Sequence, residues 1–400
     1  MNPNLKRLTD IALKKERLII GLMSGTSMDG LDIALCRIKG SGATTRLELL
    51  QFDTVTYTAE FKKELQTVFA KKNIVLEKLC LLHPWIALQY AVMINNCLEK
   101  WGVENAAVDL LASHGQTIYH APASLHRQKK FCNATLQIGD GDHLAVATGI
   151  ITISDFRQKH IAAGGEGAPL AMYGDFLLFS MPGENRILLN IGGIANFTSL
   201  PGNVDHEGVC CTDTGPGNTL MDAFMLDHFP GKYYDDDAAF AKLGRINEPL
   251  LAELKNNDFF RQPFPKTTGP ELFNLNYLST AMQNSSTSTI PAVDTMATLN
   301  RFTAEMIAMA IRECVVDKIP VNIFSSGGGI NNPLLMQNLA ELLPVYNWFT
   351  TADLGIDPDA KEAVIFAVLA NECICGDRSW MGKNKTTLPP VSLGKISFPS

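Results

Sequence analysis

The segment GLMSGTSMDGLDIALC, residues 21 to 36, has the residue types of a phosphate-binding turn. It sets three glycines, three hydroxyl side chains and two aspartates between apolar positions. Glycine lets backbone N–H groups face phosphate oxygens because no Cβ intervenes, and a nearby carboxylate could hold the metal ion that accompanies the phosphates. Gly, Ser and Asp are also ordinary turn formers, so a purely structural turn is the alternative.

Two later segments have a related outline. Residues 187 to 200, ILLNIGGIANFTSL, form a strand, a Gly-Gly turn and a second strand, as residues 19 to 36 do. Residues 321 to 343 form a strand, a triple glycine and a helix that begins at Asn332-Pro333. Any one of these could be an unrelated turn, but three in this order favour a duplicated fold with a nucleotide between two lobes. A P-loop pattern does not occur, and GEGAPL and GPGNTL lack the third glycine of the dinucleotide fingerprint.

The elements that must position these turns alternate between strands and helices, which predicts an α/β protein. We expect strands at 17–24, 31–38, 48–57, 108–115 and 149–157, and a hairpin at 184–200. We expect helices at 59–71, 76–100, 297–315 and 359–375.

Composition excludes several classes of partner. The chain has 400 residues, 46% of them hydrophobic, which is enough for two or three domains. Its net charge of −7 is mixed along the chain without a basic stripe, which disfavours nucleic acid. No apolar run is long enough to span a bilayer, and the first twenty residues do not read as a signal peptide. Nine scattered cysteines without zinc-site spacing indicate reduced thiols in a cytoplasmic protein.

The opening segment resembles the signature of the anhydro-N-acetylmuramic acid kinases, members of the actin/Hsp70/sugar-kinase superfamily. The similarity continues in order through the blocks ASHGQTIYH, LQIGDGDHLA, SDFRQKHIAAGGEGAPL, LNIGGIANFT, DTGPGNTLMDA, TTGPELFNLNYL, SSGGGINNPLLM and GIDPDAKEAVIFAVLA. The resemblance implies a two-lobed actin-like ATPase fold, with duplicated ribonuclease-H-like domains and a central cleft. It places the N-terminal lobe at 1–150, with 378–400 packing back on it, and the C-terminal lobe at 151–377.

The resemblance also implies a reaction. Such an enzyme uses ATP and Mg²⁺ to phosphorylate O6 of 1,6-anhydro-N-acetylmuramic acid while water opens the anhydro bridge. The products are N-acetylmuramic acid 6-phosphate and ADP, in peptidoglycan recycling and amino-sugar catabolism. A cytoplasmic homodimer is expected. A nucleotide-driven conformational module and a sugar sensor without turnover are the alternatives, and the intact DTGPGN segment argues against the sensor.

Three groups of residues are expected to bind the nucleotide. The first phosphate loop comprises Gly25, Thr26, Ser27, Met28, Asp29, Gly30 and Asp32. The second loop contributes Gly192, Gly193 and Asn196, and the triple glycine Gly327, Gly328 and Gly329 passes close to the adenosine and its phosphates. Asp29 is the candidate Mg²⁺ ligand, directly or through water. An Asx-turn role is open for Asp29, and Asp32 could equally be a strand-edge charge.

Polar side chains at strand ends are expected to bind the sugar. The candidates are His114, Gln116, Asp155, Arg157 and Glu362. Arg157 could contact the lactyl carboxylate of a muramic substrate, since arginine presents paired donors. The alternatives are a structural histidine, a local Asp155–Arg157 ion pair and, for Glu362, simple stabilisation of a helix start.

Asp213, in CTDTGPGN, is the expected catalytic base, because water needs a proton acceptor as it attacks the anomeric carbon. Its position matches the catalytic aspartate of the family, and Asp155 is the second candidate. The alternative is that Asp213 only caps the Gly-Pro-Gly turn and the helix after it.

Four positions depart from the family pattern. Glu166 replaces a neutral amide, His160 stands where the family often has Asp, and Tyr173 and Asp175 fall where the family usually has Ala and His. We expect ATP chemistry to be intact and substrate affinity, or the contacts behind the cleft, to differ.

Overall fold

A computed structural model describes residues 1–25, 28–168, 170–204, 208–315, 321–357, 359–377 and 389–400. The described residues form the strands β1 (Glu16–Ser24), β2 (Gly30–Lys39), β3 (Arg46–Thr56), β4 (Leu110–Ala121), β5 (Ala134–Ile138), β6 (Ile151–Ser154), β7 (Asn185–Ile191), β8 (Ile194–Leu200), β9 (Cys210–Pro216), β10 (Val321–Ser326), β11 (Asn347–Thr350) and β12 (Lys395–Ser397).

The helices follow the same described residues. They are α1 (Pro3–Ala12), α2 (Ala59–Gln66), α3 (Leu76–Trp101), α4 (Ala123–His126), α5 (Gly141–Thr148), α6 (Phe156–Ala162), α7 (Ala171–Phe179), α8 (Thr219–His228), α9 (Glu248–Lys255), α10 (Asp258–Arg261), α11 (Leu275–Asn284), α12 (Ala292–Cys314), α13 (Pro333–Leu342) and α14 (Lys361–Cys375). In the part of the chain so described, no helix has the length and apolar character needed to cross a membrane.

The two sheets repeat one topology. In the first sheet β1, β2 and β3 are antiparallel neighbours, and β4 and β6 continue parallel to β1 on its other side. In the second sheet β7, β8 and β9 are antiparallel, and β10 and β11 continue parallel to β7. Both sheets therefore have the order third-second-first-fourth-fifth, and the predicted duplicated ribonuclease-H-like α/β fold is confirmed.

The chain divides into two compact units by its contacts. The first unit is Met1–Leu178 with Asp359–Ser400, and the second is Phe179–Pro358. The first unit thus includes 151–178 and 359–377, which the sequence assigns to the second lobe. The reason is tertiary: β6 pairs with β4, and α14 packs against β1, β2 and β4. At the C-terminus, β12 pairs with β6, while 378–388 lies outside the described residues.

The packing of α14 explains a glycine in the opening segment. A Cβ on Gly21 would lie 1.8 Å from the Ala363 carbonyl oxygen, so β1 must have glycine there for the helix to approach. The α14 residues from Ala363 to Glu372 are buried. Gly21 therefore serves the core of the first unit and not the turn that follows.

One predicted strand is shorter than expected. The sequence predicts a strand over 149–157, but β6 ends at Ser154 and α6 begins at Phe156. Between them Asp155 has a left-handed backbone with φ of 54°. Asp155 and Arg157 therefore lie at a strand-to-helix junction, where the chain changes direction and side chains leave the sheet.

Candidate active site

The first glycine turn joins β1 to β2 in the first unit. Thr26 and Ser27 of this turn lie outside the described residues. Met28 has φ of 56°, and its N–H donates to the Gly25 carbonyl over 3.3 Å. The Asp29 carbonyl accepts from Tyr57 N–H at 3.0 Å, which attaches the end of the turn to β3.

A buried polar network lies directly beneath this turn. Gln116 is fully buried; its Oε1 accepts from Ser24 Oγ at 2.5 Å and its Nε2 donates to the Gly25 carbonyl at 3.2 Å. Ser24 Oγ also pairs with the Tyr57 hydroxyl at 2.6 Å, which in turn donates to Tyr90. Both ends of the Gln116 amide thus support the turn, and its contact with sugar stays a prediction.

The two aspartates of the opening segment differ in environment. Asp29 is exposed, with its carboxylate 3.9 Å from Lys62 Nζ. Asp32 is half-buried and accepts from Thr54 Oγ1 at 2.6 Å. Burial raises the pKa of Asp32; the Thr54 hydrogen bond opposes this change and the Asp359 charge adds to it. Asp29 therefore has the accessibility that a metal ligand needs, whereas Asp32 is partly engaged.

Arg157 is the centre of the predicted sugar-binding group. Its Nε donates to His114 Nε2 at 2.9 Å, and its Nη1 donates to the Gly167 carbonyl at 2.7 Å. His114 is buried, and burial together with the Arg157 charge lowers its pKa to about 3. The imidazole is therefore neutral, with its proton on Nδ1, and acts as an acceptor that fixes the guanidinium.

Charged groups surround this arginine. Glu362 is solvent-exposed, yet desolvation by the surrounding protein raises its pKa; Lys361 and Arg157 oppose this change, and Asp32 and Asp175 add to it. The structure thus brings Asp32, Arg157 and Glu362 into one electrostatic group, as the sequence predicts for part of the site. Asp155 does not join Arg157: its Oδ2 pairs with Lys395 Nζ at 2.8 Å. The alternative of an Asp155–Arg157 ion pair is therefore wrong.

Two further side chains of this group were missed as site candidates. Desolvation lowers the pKa of His120 on β4, and the Arg157 charge adds to that effect, whereas the Glu166 charge opposes it. His120 follows GQT by two residues and Glu166 is one of the departures from the family pattern, so both had a sequence signal.

The second glycine turn joins β7 to β8 in the second unit. The Gly193 carbonyl accepts from Gly217 N–H at 2.8 Å, and the Gly192 carbonyl accepts from Asn218 N–H at 2.8 Å. A Cβ on Gly217 would lie 2.2 Å from the Gly192 oxygen. The turn is therefore packed against the beginning of α8, which Asn218 precedes.

The triple glycine lies beside the end of β7. A Cβ on Gly327, whose φ is 84°, would lie 2.7 Å from the Ile191 oxygen, and one on Gly329 would lie 2.3 Å from Ile191 Cγ2. Gly328 differs, because the nearest atom to its Cβ would be Asn218 Nδ2 at 3.8 Å. A Cβ on Gly192 would likewise meet nothing nearer than 3.6 Å. Two of the predicted nucleotide-binding glycines thus border space that the protein leaves open.

Asp213 ends a row of polar residues across three strands. The register pairs Asn190 with Asn196 and Asn196 with Asp213, so their side chains share one face of the sheet. Asp213 Oδ2 accepts from Thr268 N–H at 2.8 Å. Burial raises the pKa of Asp213 to about 6; the Thr268 hydrogen bond opposes this rise, and the Glu271 charge adds to it. This value suits a general base near neutral pH.

The capping alternative for Asp213 does not match these contacts. The N-cap of α8 is Asn218, and the Asp213 carboxylate is bonded to Thr268, 55 positions further along the chain. Thr268 and Glu271 were missed as site residues, although both lie in the TTGPE segment that carries part of the resemblance. Asn190, one residue before the strand end at Ile191, was also missed.

The structure fits a nucleotide and Mg²⁺ in three respects. Open space borders Gly192 and Gly328, an exposed carboxylate is present at Asp29, and the residues around both turns leave backbone and amide groups near that space. Among the described residues, no group of three or more His, Cys, Asp or Glu side chains could hold a metal alone. Mg²⁺ is commonly held by one or two carboxylates together with substrate phosphates and water, which agrees with a single aspartate.

Comparison with known proteins identifies the family. The family model described as anhydro-N-acetylmuramic acid kinase matches residues 17–399. A protein of that name from Pseudoalteromonas atlantica is 54% identical over 400 residues, which is 100% of both chains. Another from Caldanaerobacter subterraneus subsp. tengcongensis is 39% identical over 400 residues, covering 98% of this chain and 100% of the relative. The chain therefore belongs to the anhydro-N-acetylmuramic acid kinase family.

Proposed function

We propose that the chain uses ATP to convert 1,6-anhydro-N-acetylmuramic acid into N-acetylmuramic acid 6-phosphate, with release of ADP, in cell-wall recycling and amino-sugar catabolism. The observation that carries this proposal is Asp213, a carboxylate with a pKa raised to about 6 on the same sheet as the second glycine turn. Family membership supports the same reaction.

Asp213 has the chemistry of the water-activating base. As the water oxygen bonds to C1 of the sugar, the C1–O6 bond breaks and O6 takes the γ-phosphoryl group. The water proton passes to Asp213. Thr268 N–H holds Oδ2 of Asp213 at 2.8 Å, so Oδ1 is the oxygen offered to the water. No separate acid is required, since the phosphoryl group captures the departing oxygen.

The nucleotide would lie against the glycine segments. Backbone N–H groups of the first turn and the open space at Gly192 and Gly328 suit phosphates and adenosine. Asp29 would hold Mg²⁺ together with phosphate oxygens and water. Bound Mg²⁺ neutralises charge on the phosphates that react.

Arg157 is proposed to bind the lactyl carboxylate of the sugar. His114 and Gly167 occupy Nε and Nη1, which holds the guanidinium plane fixed. Nη2 has no hydrogen-bond partner among the described residues, so its two donors are available to a carboxylate. Glu362 and His120 are the nearby groups that could accept or donate hydrogen bonds to sugar hydroxyls.

A product analysis in ¹⁸O-water tests the proposed function. We expect ADP release only when the anhydro-sugar is present, and a sugar product that carries one ¹⁸O atom and one phosphate by mass spectrometry. ADP release independent of sugar would support the conformational module instead. Sugar binding without ADP release would support the sensor.

The pH dependence of kcat/KM for the sugar should report Asp213. The base works when deprotonated, so kcat/KM should fall below about pH 6 as Asp213 gains a proton. Glu271→Gln removes a charge that raises the pKa of Asp213, so this acid limb should move to lower pH. Glu362 also has a raised pKa. A limb that stays in place in Glu271→Gln and disappears in Glu362→Gln would assign it to Glu362.

We further propose a homodimer in the cytoplasm. On α3, Leu81, Leu88 and Val92 lie on one helical stripe and are 61%, 44% and 55% exposed, which suits a self-complementary contact. No disulfide joins the nine cysteines, all of which lie in the described ranges, and this agrees with a reducing compartment. Light scattering should give about twice the 43.7 kDa chain mass. A monomer mass at all concentrations would contradict the dimer.

A further inference from the structure

A short loop after α6 lies against the side chain of His160. The ring is fully buried, and its Nδ1 accepts from Gly167 N–H at 2.8 Å. The His160 carbonyl accepts from Gly165 N–H at 3.0 Å. A Cβ on Gly165 would lie 2.2 Å from the imidazole, so the ring packs flat against this glycine. His160 thus holds the loop through both its backbone and its ring.

The same loop orients Arg157. The Gly167 residue whose N–H bonds to His160 also accepts from Arg157 Nη1 through its carbonyl, at 2.7 Å. Arg157 Nε then donates to His114. The contacts form one continuous chain from His160 through the Gly167 peptide to Arg157 and His114.

We propose that His160 is a positioning residue for sugar recognition. By fixing Gly167 through Nδ1, it sets the carbonyl that holds the Arg157 guanidinium in the orientation that receives the substrate carboxylate. The inference rests on the proposed role of Arg157. It adds a specific requirement, namely an acceptor at the position of the imidazole Nδ1.

Two features of the surroundings support this role over that of a simple core filler. The Tyr173 ring meets the His160 ring edge-on, with centroids 5.7 Å apart and planes at 89°, which fixes the ring orientation. Gly167 has φ of 86°, a backbone conformation that needs outside support to point its N–H at the ring and its carbonyl at Arg157. A hydrophobic side chain at 160 would fill the space and leave the Gly167 N–H without its acceptor.

Paired amide substitutions test the proposal. The side-chain oxygen of asparagine can take the place of Nδ1, whereas that of glutamine falls nearer the position of Nε2. We expect His160→Gln to raise the KM for the sugar roughly tenfold, the effect of one lost buried hydrogen bond, while the KM for ATP stays within about twofold. His160→Asn should remain close to the wild type. Thermal unfolding of each variant measures folding separately.

Tyr173→Phe is the matched control for the same cluster. It removes the hydrogen bond from the Tyr173 hydroxyl to the Pro389 carbonyl and keeps the ring against His160. Its KM for the sugar should not change. If His160→Gln fails to fold, Gly167→Ala displaces the same loop, because φ is 86° and its Cβ would lie 2.9 Å from Ile161 Cδ1. That variant should raise the KM for the sugar as well.

Arg157→Lys separates this proposal from the proposed function. An unchanged KM for the sugar in Arg157→Lys would remove Arg157 from the site, and the role of His160 with it. A raised KM in Arg157→Lys beside normal values in His160→Gln and Gly167→Ala would overturn the positioning role alone. Equal losses in His160→Asn and His160→Gln would also overturn it, since only the acceptor position distinguishes these two variants.

Discussion

Asp213→Asn should lower kcat roughly 10²- to 10⁴-fold, the usual contribution of a general base. The amide keeps the shape of the carboxylate and can still accept from Thr268 N–H through its oxygen. It cannot take the proton of the attacking water. Calorimetric titration should therefore find both ATP and the sugar bound with near-normal affinity, while initial rates of ADP release fall.

Asp155→Asn is the comparison variant for this prediction. The Asp155 carboxylate pairs with Lys395 at 2.8 Å, so it is engaged by a cation and not by the polar row of β7, β8 and β9. We expect only a modest change in kcat when Asp155 is replaced. Near-normal turnover in Asp213→Asn, with turnover abolished and binding intact in Asp155→Asn, would require the two roles to be exchanged.

The duplicated fold could be predicted because its signals are local. Each glycine turn lies between two apolar strands that are adjacent in sequence, and the structure pairs β1 with β2 and β7 with β8 as expected. The boundary between the units could not be predicted in the same way. It depends on α14, which returns from the end of the chain to pack on β1 through the space left by Gly21.

The site followed the same division between local and distant information. The residue types of Asp213 and Arg157 indicated their chemistry, but their partners came from elsewhere in the sequence. Thr268 reaches Asp213 only because the segment after α10 runs beside β9, and no periodicity marks that approach. Asp155 and Arg157 are two residues apart, yet the left-handed turn at Asp155 directs their side chains to different partners. Proximity in sequence was misleading there.

The triple glycine allows a test in which one position should affect nucleotide binding without affecting the fold. Gly327 and Gly329 are required by the protein itself, since a Cβ on either would come within 3 Å of Asn190 or Ile191 atoms. A Cβ on Gly328 would meet only Asn218 Nδ2, at 3.8 Å. Gly328→Val should therefore leave the thermal unfolding temperature nearly unchanged, whereas Gly327→Val and Gly329→Val should lower it.

If the adenosine or its phosphates occupy the open space beside Gly328, the valine side chain in Gly328→Val competes with them directly. Steric overlap of this kind costs about 1–3 kcal/mol, which corresponds to roughly a 10- to 100-fold rise in the KM for ATP. The KM for the sugar should stay unchanged, because the sugar-binding candidates Arg157 and His114 belong to the other unit. A folded Gly328→Val variant with a normal KM for ATP would mean that the nucleotide does not approach the triple glycine. The open space at Gly328 would then need another explanation, and the nucleotide would have to be assigned to the turns at Gly25 and Gly192 alone.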